Sequence, residues 1–343
     1  MSFETSPSGE KPSGERAERA FGALAVITDN RFGDSDIERA ILEPAGVELR
    51  VAACRSSSEV AAAGFGADAL LANLAPIDAA AIEALDRCVV VARYGVGVDS
   101  VDVEAARARG IAVRNVPGYC DAEVAEHALG LLLSLARGIH ARDAAIRNGK
   151  WNIAAPGKRV HGSVLAVLGF GGTGKSLIRA ALGLGLSEIL VWSPHITEER
   201  LYSVFGDAPR ILGTILRPVA LDEALSRADF VAIHLPLKPE TRGLVGRREL
   251  ALMKSHAFLV NVSRGALVDE EALAESLRAG KLGGAGLDVF VAEPLPAGSP
   301  LRSTPNLVVT DHSAYASRES LALLRKRTAE NALEELRKAG RLD

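Results

Sequence analysis

The chain has 343 residues, 48% of them hydrophobic, with a formal net charge of −3. That much apolar material exceeds what one core usually organises, so two domains are expected, and the charge leaves no footprint for nucleic acid or an anionic membrane surface. Three cysteines, Cys54, Cys88 and Cys120, form an odd set without metal-ligand spacing, which points away from a disulfide framework or a metal and towards the cytoplasm.

Residues 1–19 are mostly Ser, Pro, Gly, Glu and Lys, a composition expected to leave a disordered tail. No leader of the secretory kind and no run near the roughly 18 apolar residues of a membrane span is present, so neither export nor a membrane partner is expected. From Leu24 onward, apolar runs at 24–28, 47–53, 69–74, 88–92 and 111–116 alternate with helical stretches at 36–43, 78–86 and 101–109. Such βαβ alternation predicts a parallel sheet. Between Ala92 and Val101 lies the glycine-rich stretch RYGVGVDSV, which reads equally as a tight turn or a ligand loop. After Pro117-Gly118, Asp121 is expected to cap one long helix running to Arg147, ended by Asn148-Gly149. Its apolar residues cover more than one face over 128–136, which suggests burial between domains or against a second copy.

A second series follows, with strands expected at 164–168, 188–192, 230–235, 257–262, 284–290 and 307–310, and helices at 173–183, 221–227, 246–253 and 269–279. A final amphipathic helix, 317–339, is expected to return to the first domain. The second series opens on VLAVLGFGGTGKS, Val164 to Ser176. Gly169, Gly171 and Gly174 make the GxGxxG dinucleotide fingerprint, which passes from a strand into a helix N-terminus. With Lys175 and Ser176 the same residues also satisfy the phosphate loop of nucleoside triphosphatases. That second reading needs a magnesium carboxylate at a neighbouring strand end. The expected strands end instead in Ser193-Pro194, Pro236 and Ser263-Arg264, and Asp288 sits inside its strand pattern, so the dinucleotide reading is preferred.

Several long segments, in order, now carry a resemblance. They are RYGVGVDSVDVEAARARGIAVRNVPGYCDAEVAEHALGLLLSLAR, NGKW with the fingerprint after it, HLPLKPETRGLVG, LVNVSRGALVDEEAL, GAGLDVFVAEPLP and DHSAY. Over about residues 24–336 the chain resembles the D-isomer-specific 2-hydroxyacid dehydrogenases, and within them it is similar to C-terminal-binding proteins and phosphoglycerate dehydrogenases. The resemblance implies an α/β fold of two Rossmann/flavodoxin-like parallel-sheet domains. Residues 20–117 plus 312–343 would form a substrate-binding domain into which an NAD(P)-binding domain, 118–311, is inserted. It implies an oxidoreductase that moves a hydride between a nicotinamide cofactor and a D-2-hydroxy or 2-oxo acid, in a cleft closed by hinge motion, in a homodimer.

The same resemblance assigns roles. Arg264 would pair with the substrate carboxylate and C2 oxygen, His312 would exchange a proton with that oxygen, and Glu293 would hold His312 in one tautomer and favour its charged form. Tyr94, Val96, Gly97 and Tyr315 would line the substrate, with backbone amides of the Tyr94–Gly97 turn on its carboxylate and Asp99 and Asp102 holding that turn. Gly172 and Thr173 would meet the cofactor pyrophosphate, Leu235, Pro236 and Val262 would line it, and Asp288 would hold the carboxamide; His234 and Thr241 are further cofactor positions, and Cys120 is structural. Two departures stand out. Asp311 precedes the histidine where proline is usual, and Ser193 occupies the place of the acid that binds the ribose diol and repels a 2′-phosphate. NAD is therefore the expected cofactor with NADP left open. A nicotinamide-sensing binding protein without turnover is the alternative from another class.

Overall fold

Short buried strands, each followed by a helix, build two separate sheets. The computed structural model describes residues 21–151 and 156–342, so the expected N-terminal tail lies outside the described residues. The chain divides into two units, one running to Val116 and resuming at Leu324, the other Pro117–Leu323.

The first unit holds β1 (Ala23–Ile27), α1 (Asp36–Leu42), β2 (Val47–Val51), α2 (Ser57–Gly64), β3 (Ala69–Ala72), α3 (Ala79–Ala84), β4 (Val90–Arg93), α4 (Val103–Ala108) and β5 (Ala112–Arg114). All its strands are parallel, in the order β2-β1-β3-β4-β5, which is the flavodoxin-like order. Every residue of β1 and β3 is buried, as expected for a parallel sheet covered on both faces. The helices begin where side chains supply the missing acceptors: Ser56 and Glu59 form a capping box on α2, Asp78 accepts from Ala81 N, and Asp102 accepts from Ala105 N. Asp102 thus caps α4. Helix α2 was not among the expected elements, because its alanine- and serine-rich sequence carries little amphipathic signal.

The second unit contains α5 (Asp121–Arg137), α6 (Ile139–Arg147), β6 (Val164–Leu168), α7 (Gly172–Ala181), β7 (Glu188–Trp192), α8 (Glu198–Phe205), α9 (Ala208–Ile211), β8 (Ile215–Pro218), α10 (Leu221–Arg227), β9 (Phe230–Ile233), α11 (Arg247–Leu252), β10 (Phe258–Asn261), α12 (Glu270–Arg278), β11 (Gly284–Leu287) and β12 (Leu307–Val309), and α13 (Arg318–Lys338) starts in it. Its seven parallel strands run β12-β11-β10-β9-β6-β7-β8. The order reverses between β6 and β9, the switch point at which open α/β sheets bind ligands beyond their strand ends.

Four expectations need correction. The long helix is two, because Gly138 takes φ +62 and closes α5 in a left-handed cap. Asp121 lies inside α5, and Cys120 is the cap residue, without a side-chain bond. The apolar side of α5 is used within its own unit: a Cβ on Gly286 would touch Leu131 and one on Gly284 would crowd Leu135, so the glycines of β11 let the helix lie directly on the strand. Finally, the return to the first unit falls at Leu324, within α13, and not at 312, so His312 and Tyr315 stay with the second unit. The edge strand β8 and helices α8 and α9 were also unforeseen.

Candidate active site

The fingerprint turn is where β6 passes into α7. Gly169 takes φ +118, and a Cβ there would overlap the His234 carbonyl; a Cβ on Gly174 would press on the Gly169 carbonyl. These two glycines serve the protein's own packing. Gly171 differs: its backbone, φ −78 and ψ −168, suits any residue, and a Cβ there would meet no protein atom within 4 Å. Helix α7 starts after it with no side-chain cap. An open space before uncapped helix amides fits a phosphate, and so the residues present fit a dinucleotide. Gly172 lies against α5, where a side chain would overlap the Asp121 carboxylate. Burial raises the Asp121 carboxyl, with the charge of Lys175 opposing the shift. Lys175 itself reaches over the Phe170 ring at 5.8 Å. Helix α7 already begins at Gly172, so residues 172–174 are helical and leave no phosphate-wrapping loop directly ahead of Lys175.

Around this turn, the end of β9 supplies His234, whose Nδ1 lies 3.1 Å from Thr173 Oγ1. Leu235 and Val262 are buried and Pro236 is exposed. Beyond β7, Ser193 closes a turn with Ile196 N donating to its carbonyl at 3.2 Å and His195 at φ +62. Thr241 is turned inward. Its hydroxyl donates to the Pro236 carbonyl and accepts from Lys238 N, both at 2.8 Å, so it braces its own loop instead of facing a cofactor.

Two loops carry the expected catalytic residues. Arg264 follows β10, held by Asn261, whose amide donates to the Arg264 carbonyl at 2.9 Å and whose Oδ1 accepts from Ser263 N. Gly265 packs its backbone against Phe290 and Val291, where any side chain would collide, and this brings the Arg264 loop against the loop of Glu293. That second loop is pinned by Glu270, which accepts from Val291 N at 2.7 Å. Glu293 Oε1 accepts from Phe290 N at 2.9 Å, and its Oε2 lies 2.6 Å from His312 Nδ1. Burial works to raise the Glu293 carboxyl, but the bonds to His312 and Phe290 N and the charges of His312 and Arg264 outweigh it and hold the group below its ordinary value. With Glu293 ionised, Nδ1–H donates and Nε2 is left for another partner.

His312 adopts φ +55, an uncommon conformation for a residue with a Cβ. Asp288 maintains it. The Asp288 carbonyl accepts from His312 N, Oδ1 accepts from the Thr310 hydroxyl at 2.6 Å and Ser313 N at 3.0 Å, and Oδ2 accepts from Ala314 N at 2.9 Å. His127 of α5 adds a bond to Thr310 at 3.0 Å. Asp288 is 0% exposed, so its carboxylate anchors the histidine loop and offers no open face to a carboxamide; that expected role is corrected. Tyr315 stands edge-on to the His312 ring at 6.2 Å, and Asp311 is exposed.

In the first unit, Val96 is exposed on its loop and its carbonyl accepts from Asn115 Nδ2, while Gly97 beside it is half-buried. Tyr94 is corrected: at 2% exposure its ring is core, packed edge-on to Phe32, and its hydroxyl donates to buried Glu38 at 3.1 Å. Arg325 of α13 grips the same carboxylate at 2.7 Å. Tyr94 therefore supports the loop from beneath. Burial pushes the Cys120 thiol up to about 11, consistent with the structural role expected of it. Asn261, Glu270, Thr310 and His127 were not foreseen; only Asn261 had a local signal, an Asx turn into SRG.

The pattern of the D-isomer specific 2-hydroxyacid dehydrogenase NAD binding domain matches residues 129–314. The chain is 38% identical over 272 residues to a glyoxylate reductase of Korarchaeum cryptofilum, covering 78% of this chain and 79% of that protein. It is also 38% identical over 276 residues to a D-3-phosphoglycerate dehydrogenase of Mycobacterium tuberculosis, covering 80% of this chain but 50% of that longer protein. A crystal structure of a Thermus thermophilus protein superimposes with a TM-score of 0.80 at 34% identity, covering 92% of this chain and 97% of the other. With both sheets, the fingerprint turn and these matches in agreement, the chain belongs to the D-isomer specific 2-hydroxyacid dehydrogenase family.

Proposed function

We propose that Arg264, Glu293 and His312 are the catalytic trio of a nicotinamide-dependent oxidoreductase acting between D-2-hydroxy acids and 2-oxo acids. The observation that carries this is the 2.6 Å bond from His312 Nδ1 to Glu293, which commits one ring nitrogen and frees the other. Bound nicotinamide supplies or accepts the hydride at C2. In the reducing direction His312 delivers a proton from Nε2 to the C2 oxygen, and Glu293 stabilises the ring while it is charged. In the oxidising direction Nε2 takes the hydroxyl proton. Arg264 pairs with the substrate carboxylate through its planar guanidinium, and the Val96–Gly97 amides are the proposed second anchor. Domain roles follow: the first unit serves the acid and the second the cofactor.

NAD is the proposed cofactor, with NADP admitted because Ser193 neither repels a 2′-phosphate nor grips a ribose diol as an acid would. Three buried free thiols favour a reducing, cytoplasmic setting. A homodimer is proposed from the exposed apolar residues Ile139 and Ile146 of α6 and Trp151 beyond it, and sedimentation at micromolar concentration checks it. The intact trio sets aside the reading as a sensor without turnover. The test is a panel of 2-oxo acids with NADH and NADPH, run on wild type and His312→Gln. Wild type should turn over at least one acid, and the variant should lose about 10³-fold in kcat while keeping its cofactor affinity. Near wild-type turnover in the variant would overturn the assignment.

A further inference from the structure

His234 sits just beyond β9, at the point where the strand order of the second unit reverses, and is 5% exposed. Its two ring nitrogens are served unequally. Nδ1 lies 3.1 Å from Thr173 Oγ1, whereas Nε2 is buried with no hydrogen-bond partner among the described residues. Burial pushes the imidazole down to about 4, so near neutral pH the ring is uncharged and carries one N–H.

That proton has two possible seats. On Nε2 it would be a buried donor with nothing to receive it, and Nδ1 would then take the Thr173 hydroxyl proton. On Nδ1 it is donated to Thr173 Oγ1, and Nε2 is left as a bare acceptor. A buried donor without a partner is the rarer and costlier defect. The proton therefore belongs on Nδ1.

A threonine hydroxyl has one proton and two lone pairs. With Nδ1–H filling a lone pair, the hydroxyl proton of Thr173 remains available. Thr173 is the second residue of α7, at a helix start with no side-chain cap and beside the open space at Gly171. Negative charge is what such an end attracts. We propose that His234 is a positioning residue that donates from Nδ1 to Thr173 and so holds the Thr173 hydroxyl as a donor to a phosphate oxygen of the bound dinucleotide. This rests on the reading of the fingerprint turn as the cofactor site.

The test is a double-mutant cycle read by calorimetric titration of the full chain with NADH and NADPH. Thr173→Val should weaken binding about tenfold, the size of one bond to a charged group. His234→Leu should weaken it several-fold in the presence of Thr173 and leave it unchanged in Thr173→Val. His234→Asn, whose amide nitrogen takes the place of Nδ1, should bind like wild type. Equal losses for His234→Leu in both backgrounds would mean that the ring acts through packing, and would overturn the proposal. Nitrogen chemical shifts of selectively labelled histidine in the cofactor-free protein give an independent reading: a proton on Nδ1 is expected, and one on Nε2 would overturn the proposal. A wild type that binds neither dinucleotide overturns the cofactor reading together with this one.

Discussion

In each unit an aspartate just ahead of the strand beside the first one reaches back to the amide at the start of that first strand. Asp68, before β3, accepts from Leu24 N, and Asp229, before β9, accepts from Val164 N, both at 3.0 Å. Each meets basic side chains: Arg87 and Arg341 at Asp68, and Lys158, Lys254 and the His256 ring at Asp229. The N-terminal ends of the two sheets are thus closed in the same way. Their C-terminal ends are not. In the first unit the Asp29 carboxylate, beyond β1, accepts from the amides of Asn73, Leu74 and Ala75 beyond β3, at 2.7 to 3.1 Å. The corresponding crevice of the second unit has glycines at 169 and 171, and a Cβ on Gly171, just ahead of α7, would meet no protein atom within 4 Å. One sheet fills its anion nest with its own carboxylate, and the other leaves it for a ligand. Both units join parallel strands by helices, but at this point only the second withholds a side chain, at Gly171.

The sharpest way to break this comparison is to give the second unit what the first has. Gly171→Asp places an acid in the open crevice without a backbone or packing clash, and at a helix cap position where Asp is favoured. Dinucleotide affinity should fall by about 100-fold or more through charge repulsion, with the melting temperature unchanged or raised. Binding at wild-type strength would show that the crevice is not the phosphate site. The reverse change, Asp29→Ala, bares three amides and should cost about 2 kcal/mol in denaturant unfolding, without conferring dinucleotide binding on the first unit.

A smaller effect tests the shared closure. Burial would raise the Asp229 carboxyl, but Val164 N, Lys158, His256 and Lys254 together pull it down to about 2. A carboxyl depressed in the folded state contributes stability above its ordinary pKa near 3.8 and loses it as pH falls towards 2. Asp229→Asn should therefore flatten the acid limb of the stability profile by about 1–2 kcal/mol, after allowance for solvent screening. An unchanged limb would deny Asp229 this role.

What could be read from the residues was whatever short patterns encode. Buried apolar runs and turn residues located β1, β6 and β7 to within a residue, the GxGxxG spacing located the fingerprint turn, and the family resemblance of SRG, AEP and DHS, in that order, singled out Arg264, Glu293 and His312. These features act within a few residues of themselves, so local sequence carries them. Tyr94, Asp288 and Thr241 read as ligand contacts because their neighbours in the chain resembled ligand loops. Their fates were decided by Glu38, by the 310–314 loop and by Pro236. Which crevice an aspartate would fill likewise depended on partners brought together by folding. Asp29 meets its amides more than forty residues away, and Glu38 meets Arg325 almost three hundred away. No local period records such pairings, because their free energy exists only once the first unit has folded around its sheet.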